Sequence, residues 1–110
     1  MRVIVCGGRD YSDEATIHDV LSALRPATIV HGDARGADSY VELIAPHYGH
    51  KTERHPADWQ QHGKAAGPIR NQKMLDAGAD LVIAFPGGEG TADMVGRARR
   101  SGAPVLEVAA

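Results

Sequence analysis

Leu81-Val82-Ile83-Ala84-Phe85 runs straight into Pro86-Gly87-Gly88-Glu89-Gly90-Thr91, and a helix-like stretch from Thr91 to Arg100 follows. Five consecutive apolar residues, without alternation, suit a strand covered on both faces. The glycine-rich stretch reads as a strand-to-helix loop, and Gly102 stops the helix. Strand, glycine loop and helix in that order point to a parallel α/β fold.

The rest of the chain repeats the pattern. Val3-Ile4-Val5-Cys6 is a second run of the same character, followed by Gly7-Gly8. Ser12 is positioned to cap a helix that buries Ile17, Val20, Leu21 and Leu24 at three- and four-residue spacing, and Pro26 ends it. Thr28–His31 reads as a strand. Asp38–Tyr48 reads as a helix with Val41, Leu43, Ile44 and Tyr48 inward. Lys51–His55 is a polar strand suited to a sheet edge. Residues 56–66 are polar, carry the single tryptophan, Trp59, and allow a short helical turn. Pro68 behind Gly67 suits the N1 position of a helix carrying Ile69, Met74 and Leu75 and ending near Gly78. Pro104–Val108 is a last strand. This alternation predicts a single Rossmann-like three-layer domain with about five parallel strands, in the order 3-2-1-4-5 with right-handed crossovers. The chain of 110 residues suits one such domain.

Bulk properties narrow the function classes. The apolar share is 43% and the charged share 24%, as in ordinary globular domains. Twelve Lys and Arg against fourteen Asp and Glu give a net charge of −2, which argues against a dedicated nucleic-acid binder. The one cysteine, Cys6, cannot form an intrachain disulfide, so it reads as a buried thiol and the setting as reducing and cytoplasmic. The apolar start at residues 1–6 is too short for a signal peptide or a membrane span.

In a doubly wound sheet, ligands bind beyond the carboxyl ends of the strands, where the strand order reverses. Here that point lies between the first and fourth strands. Four loops lead there: Gly7-Gly8-Arg9-Asp10, then 32–38 with Gly32, Arg35, Gly36 and Asp38, then the stretch ending in Arg70 and Asn71, and finally residues 86–91. Seven of the thirteen glycines lie in the first, second and fourth of these loops. Pro86, Gly87, Gly88, Glu89, Gly90 and Thr91 form the sharpest signal. Glycines permit positive φ and close approach of a ligand to the backbone. The helix start offers free N–H groups and a positive dipole end, and Thr91 is able to cap the helix or bind a phosphate. There is no Gly-Lys-Ser/Thr ending and no complete dinucleotide fingerprint, so neither a Walker A loop nor NAD binding is expected. Arg9, Arg35 and Arg70 supply guanidinium forks for phosphate. Asp10 and Asp38 suit either a ribose hydroxyl or an arginine partner, and Asp38 reads equally as a helix N-terminal acid. His47, His50, His55 and His62 lack metal-site spacing, so no metal and no cofactor are expected. His31, at a strand end, is the histidine placed closest to the expected pocket.

Four motifs resemble a known family: CGGRDY (6–11), HGDARGAD (31–38), HGKAAGPIRNQKM (62–74) and FPGGEGTADM (85–94) are similar to the YspA-related branch of the SLOG superfamily. The resemblance spans essentially the whole chain. It implies a Rossmann-like fold, a nucleotide-derived small-molecule ligand and a homo-oligomer, dimer or larger, whose second subunit is able to complete the site. It also implies a distant kinship with the lonely-guy phosphoribohydrolases, which cleave the N-glycosidic bond of nucleoside 5′-monophosphates. Their pattern is an Arg-Lys pair followed by PGGxGTxxE. Arg70 matches the arginine, Asn71 replaces the lysine, and Gly87, Gly88, Gly90 and Thr91 match the loop. Met94 stands where the family has its glutamate.

Two readings follow. One is a module that binds or senses a nucleotide or nucleotide-derived phosphate ligand. The other is a phosphoribohydrolase-like N-glycosidase, with Asp38, Glu89 or Asp93 supplying the carboxylate that Met94 does not. Some SLOG relatives bind single-stranded DNA. The net charge and scarcity of aromatic residues argue against that here.

Overall fold

A computed structural model describes all 110 residues. β1 (Arg2–Cys6), β2 (Thr28–His31), β3 (Lys51–Arg54), β4 (Leu81–Ala84) and β5 (Val105–Glu107) form one parallel sheet in the order β3-β2-β1-β4-β5. The predicted strand order and fold class are correct. Helices α1 (Glu14–Ala23), α2 (Ala37–Ile44), α4 (Ala66–Asp76) and α5 (Glu89–Ser101) cover the sheet, and α3 (Trp59–His62) is a single turn between β3 and α4. No helix is long and apolar enough to cross a membrane.

The period of two along each strand sorts the core into two layers. Val3, Val5, Ile29 and Ile83 point to one face and pack with Ile17 and Leu21 of α1 and Val41 and Ile44 of α2. Ile4, Val30 and Val82 point to the other and meet Met74 of α4 and Met94 and Ala98 of α5. Pairings such as Ile4 with both Val30 and Val82 hold the central strands in register, so each inward residue lies beside another.

Several helix boundaries differ from the sequence reading, each for a local reason. Asp13, not Ser12, caps α1, because its carboxylate accepts from the Thr16 amide at 3.1 Å and the Thr16 hydroxyl at 2.7 Å. The second helix stops at Ile44, and Ala45–Tyr48 tightens into a 3₁₀ turn around Pro46, which cannot donate to a continuing helix. Leu43 is 71% exposed, on the outer side of α2. α4 begins at Ala66, so Pro68 falls at its third position, still inside the turn that needs no amide from it. Gly102 ends α5 in the left-handed conformation at φ 81°, as expected.

The histidines at the carboxyl end of β2 and after α2 belong to the framework. His31 is fully buried. Its Nδ1 accepts from the Asp33 amide at 3.0 Å, so its Nε2–H donates to Glu42 at 2.9 Å. His50 accepts from the Ala27 amide at 3.1 Å and donates to the Leu21 carbonyl at 2.8 Å, closing the end of α1.

At the amino-terminal edge of the sheet, Arg2 holds three segments. Its guanidinium forks onto Glu53 of β3 at 2.8 and 2.7 Å and donates to the Gly78 carbonyl at 3.0 Å, while its amide donates to Asp80. Hydrogen bonds from Arg2 and His55 pull the Glu53 carboxyl down to about 2. A carboxyl with a depressed folded-state pKa stabilises the fold above its unfolded value and loses that contribution as pH falls through the folded one. Both partners are about one-third exposed, so screening leaves about 1 kcal/mol. Glu53→Gln is therefore expected to lower stability by about 1 kcal/mol at pH 7 in urea denaturation. The difference should vanish between pH 4.5 and pH 2. A pH-independent difference would place its origin in packing instead.

Candidate functional site

The loops leaving β1, β2 and β4 meet in one cleft of about 1350 Å³ beyond the carboxyl ends of the strands. Gly8 locks them together. Its amide donates to the Pro86 carbonyl at 2.9 Å, and its own carbonyl accepts from Ala37 and from Tyr11, each at 3.2 Å. A side chain at Gly7 would lie 2.6 Å from the Ala37 Cβ, and one at Gly8 3.1 Å from Gly87. Gly36, at φ 83°, presses against the carbonyls of Gly8 and Arg9, so any Cβ there meets backbone as well as an unfavourable dihedral.

The glycines of the last loop act differently from the sequence expectation. None of Gly87, Gly88 and Gly90 takes a positive φ. Gly87 is needed because a Cβ would collide with the Thr91 side chain and the Gly8 amide. Gly88 and Gly90 face open space, where their missing side chains leave the backbone bare. The helix also begins earlier than predicted. Gly88 is the N-cap of α5, Glu89 and Gly90 lie in its first turn, and Thr91 is inside the helix rather than its cap. No side chain caps this terminus, so its first amides remain available for an anion.

Asp38 lines the same cleft from the first turn of α2 and is only 6% exposed. Its Oδ2 accepts from the amides of Gly32 at 3.1 Å and Ala34 at 3.2 Å. Its Oδ1 is buried and has no partner. Burial raises the Asp38 carboxyl above the ordinary carboxylate range, and the Ala34 amide, His31, Arg70 and the Gly32 amide only partly offset this. Asp33, between the two donor segments, adopts φ 55°, a conformation aspartate tolerates.

Arg70 on α4 is half-buried beside Asp38. It donates to the Gly32 carbonyl at 2.6 Å and through Nε to Asn71 at 3.0 Å. Burial lowers its affinity for a proton and Asp38 restores part of it. Asn71 in turn donates to the Gly90 carbonyl at 3.3 Å and to Asp93 at 3.0 Å, tying α4 to the start of α5. Arg9 and Arg35 also line the cleft, and Arg35 makes only a loose 3.8 Å pair with Asp10 across exposed side chains. Cys6 reaches the cleft wall. Burial pushes its thiol up to about 12, which keeps it neutral and unreactive.

Fifteen of the sixteen predicted ligand residues thus line a single cleft: Gly7, Gly8, Arg9, Asp10, Gly32, Arg35, Asp38, Arg70, Asn71 and the run from Pro86 to Thr91. Gly36 stands behind the cleft as a spacer, outside its lining. Asp93 is not brought to the cleft. Asn71 and Arg97, the latter at 2.9 Å, hold its carboxyl. Met94 lies fully buried in the α4/α5 core. His31 does not line the cleft, because its ring is spent on Asp33 and Glu42. Sequence reasoning assigned no role to Tyr11, Lys64 and Trp59, which also line it. The signal for Trp59 was a large aromatic residue in a stretch with no apolar periodicity to bury it. No group of three or more His, Cys, Asp or Glu is arranged to hold a metal ion.

The family model described as YspA, cpYpsA-related SLOG matches residues 1–62. A protein of Mycobacterium phage D29, named there as the gene 61 protein, is 38% identical over 117 residues, covering 96% of this chain and 94% of that one. The chain belongs to the YspA/cpYpsA-related SLOG family. The matched region contains the Gly8 and Asp38 loops, whereas the residue 86–91 loop lies beyond it. Among solved structures, the C-terminal domain of a hydrogenase from Pyrococcus furiosus shares the fold, with a TM-score of 0.56 at 16% identity, covering 97% of this chain and 90% of that one.

Two variants probe the site's construction. Gly36→Ala is expected to cost about 2 kcal/mol or more in chemical denaturation, because it forces a strained dihedral and a clash with the Gly8 carbonyl. Asp38→Asn keeps an oxygen for the Gly32 and Ala34 amides while removing a buried charge. The folded-state pKa of Asp38 is raised, so its relative contribution is most favourable below the unfolded value of 3.8 and is lost as pH rises through the folded value. Asp38→Asn should therefore match or exceed the unsubstituted protein in thermal stability at pH 7, and its advantage should shrink toward pH 3. A strong loss of stability at pH 7 would show that Asp38 serves the fold rather than a ligand.

Proposed function

We propose that this SLOG protein binds a nucleotide or nucleotide-derived phosphate ligand in the cleft at the switch point of its sheet. The observation that carries the reading is the pairing, in one cleft, of an uncapped helix terminus with a buried carboxylate oxygen that has no partner. The first accepts an anion, and the second is an acceptor that a ligand hydroxyl would satisfy by donating a hydrogen bond once a side-chain shift uncovers it. A sugar phosphate bears both groups. Bare backbone at Gly88 and Gly90 lets a phosphate reach the amides of α5, and Arg70 adds a guanidinium whose remaining N–H groups face the same space. Arg9 and Arg35 supply further positive charge at the rim.

Asp38 also supports a second reading, cleavage of an N-glycosidic bond. A carboxyl with a raised pKa in a cleft is suited to proton transfer at a leaving base or an attacking water. Glu89, at the first position of α5, is an exposed carboxylate that lines the same cleft. Asp93 is a poor candidate because Asn71 and Arg97 occupy it, and Met94 buries its side chain where the lonely-guy enzymes carry their glutamate. Binding needs only the geometry present, so it is the leading reading.

Thermal shift against nucleoside 5′-monophosphates tests binding, since a ligand selective for the folded state raises its melting temperature. At least one monophosphate is expected to raise it in a concentration-dependent way. Arg70→Ala should weaken that ligand by roughly tenfold or more, as loss of a charge-assisted phosphate contact would. Chromatography of the same mixtures separates the two readings. Intact nucleotide supports a binding module, and free base whose release is abolished in Asp38→Asn supports the hydrolase. No shift with any phosphate-bearing ligand would overturn both.

A further inference from the structure

Trp59 is 49% exposed on the wall of the cleft. A tryptophan is seldom left half in water without a use for its ring, since it has more apolar surface to bury than any other side chain. It belongs to the single turn α3, which Asp58 caps by accepting from the Gln61 amide at 3.0 Å. The ring's Cη2 edge lies over Gly67 at the start of α4, where an added methyl group would meet it at an ordinary contact distance of 3.5 Å. The ring is thus steadied from α4 and open toward the cleft.

Arg9 stands over this ring, with its guanidinium carbon 5.8 Å from the ring centre. That spacing is wide for direct stacking, and it is the outer limit of a cation–π contact. Carbon atoms in contact lie about 3.5 Å apart, so a planar group between guanidinium and indole needs about 7 Å. Arg9 is exposed and bears no hydrogen bond to another side chain, so a change of rotamer is free to move its guanidinium back from the ring. Its backbone is fixed, because Gly8 beside it donates to Pro86 of the loop that precedes α5. One end of the pair is therefore anchored to the anion-accepting end of the cleft.

We propose that Arg9 and Trp59 form a stacking clamp for the aromatic base of the ligand. The inference rests on the nucleotide-binding reading and narrows it: the ligand carries a base as well as a phosphate, and residues 56–66 serve as the platform for that base. Aromatic stacking tolerates any base, because every base has a π-face. The clamp therefore sets a class of ligand rather than one nucleobase.

Trp59 is the single tryptophan, so its fluorescence reports on the clamp alone. The full-length protein is titrated with AMP, GMP, CMP and UMP, and separately with ribose 5-phosphate, following both fluorescence and melting temperature. A nucleotide should quench Trp59 and bind at least tenfold more tightly than ribose 5-phosphate. Ribose 5-phosphate should raise the melting temperature with little quenching. Trp59→Ala should remove most of the nucleotide's advantage while leaving ribose 5-phosphate affinity within about twofold, and Trp59→Phe should restore most of it. The melting temperature of unliganded Trp59→Ala checks that the half-exposed ring is not needed for folding. Equal affinity for ribose 5-phosphate and every nucleotide, unchanged in Trp59→Ala, would overturn the clamp and leave the phosphate pocket standing. Binding of neither would overturn the pocket and the clamp together.

Discussion

Gly8 is the point on which the site depends. Its amide bonds to the loop after β4 and its carbonyl to the start of α2, so three loops from adjacent strands are fastened through one residue. This is possible only because the loops at 7–8, 36 and 87 have no side chains where they cross. A parallel sheet brings its carboxyl-terminal loops to one edge, and the reversal between β1 and β4 sends their following helices to opposite faces. The gap so created would be a shallow notch if those loops stood apart. Fastened at Gly8, they form the wall of a cleft.

Within that wall the chain keeps a feature that does not favour stability. Asp38 is buried, its proton affinity is raised by burial, and one of its oxygens bonds to nothing. Buried polar groups in native proteins are almost always satisfied. An orphan oxygen on a residue that lines the cleft is a local disagreement with the otherwise well-paired interior, and such disagreements gather at functional sites. The contrast with His31 and His50 is instructive. Both are buried polar side chains, both have each ring nitrogen occupied, and both serve the fold.

The lonely-guy likeness is unevenly distributed over the molecule. The loop glycines, Thr91 and Arg70 line the cleft. The glutamate position is filled by Met94, packed against Ile4, Val30 and Met74 in the core, so that part of the pattern has been given over to hydrophobic burial. Asp93, one residue away, is rotated by about 100° and bonded to Asn71 and Arg97. Of the three candidate carboxylates, Asp38 and Glu89 line the cleft and Asp93 does not.

Strand order and most of the cleft loops were readable from the sequence, because they follow from local rules, whereas Tyr11, Trp59 and Lys64 were missed as cleft residues. Apolar runs mark the strands buried on both faces, Gly102 ends a helix by its own backbone freedom, and strand–loop–helix alternation fixes which loops share an edge. Boundaries set by competition between neighbours were not readable. Asp13 displaced Ser12 as a cap because its carboxylate reaches both Thr16 groups, and α5 began at Glu89 because Gly88 could cap without a side chain. Nor could the residue 86–91 glycines be ranked by sequence. Gly87 is needed for contact with Gly8 and Thr91, while Gly88 and Gly90 leave backbone open. Above all, the sequence presented three carboxylates, Asp38, Glu89 and Asp93, as equals. Only the tertiary structure separated them, since whether a carboxylate is free depends on which donors the fold brings within hydrogen-bond reach of it: two amides on one oxygen of Asp38 and none on the other, and two side chains on Asp93.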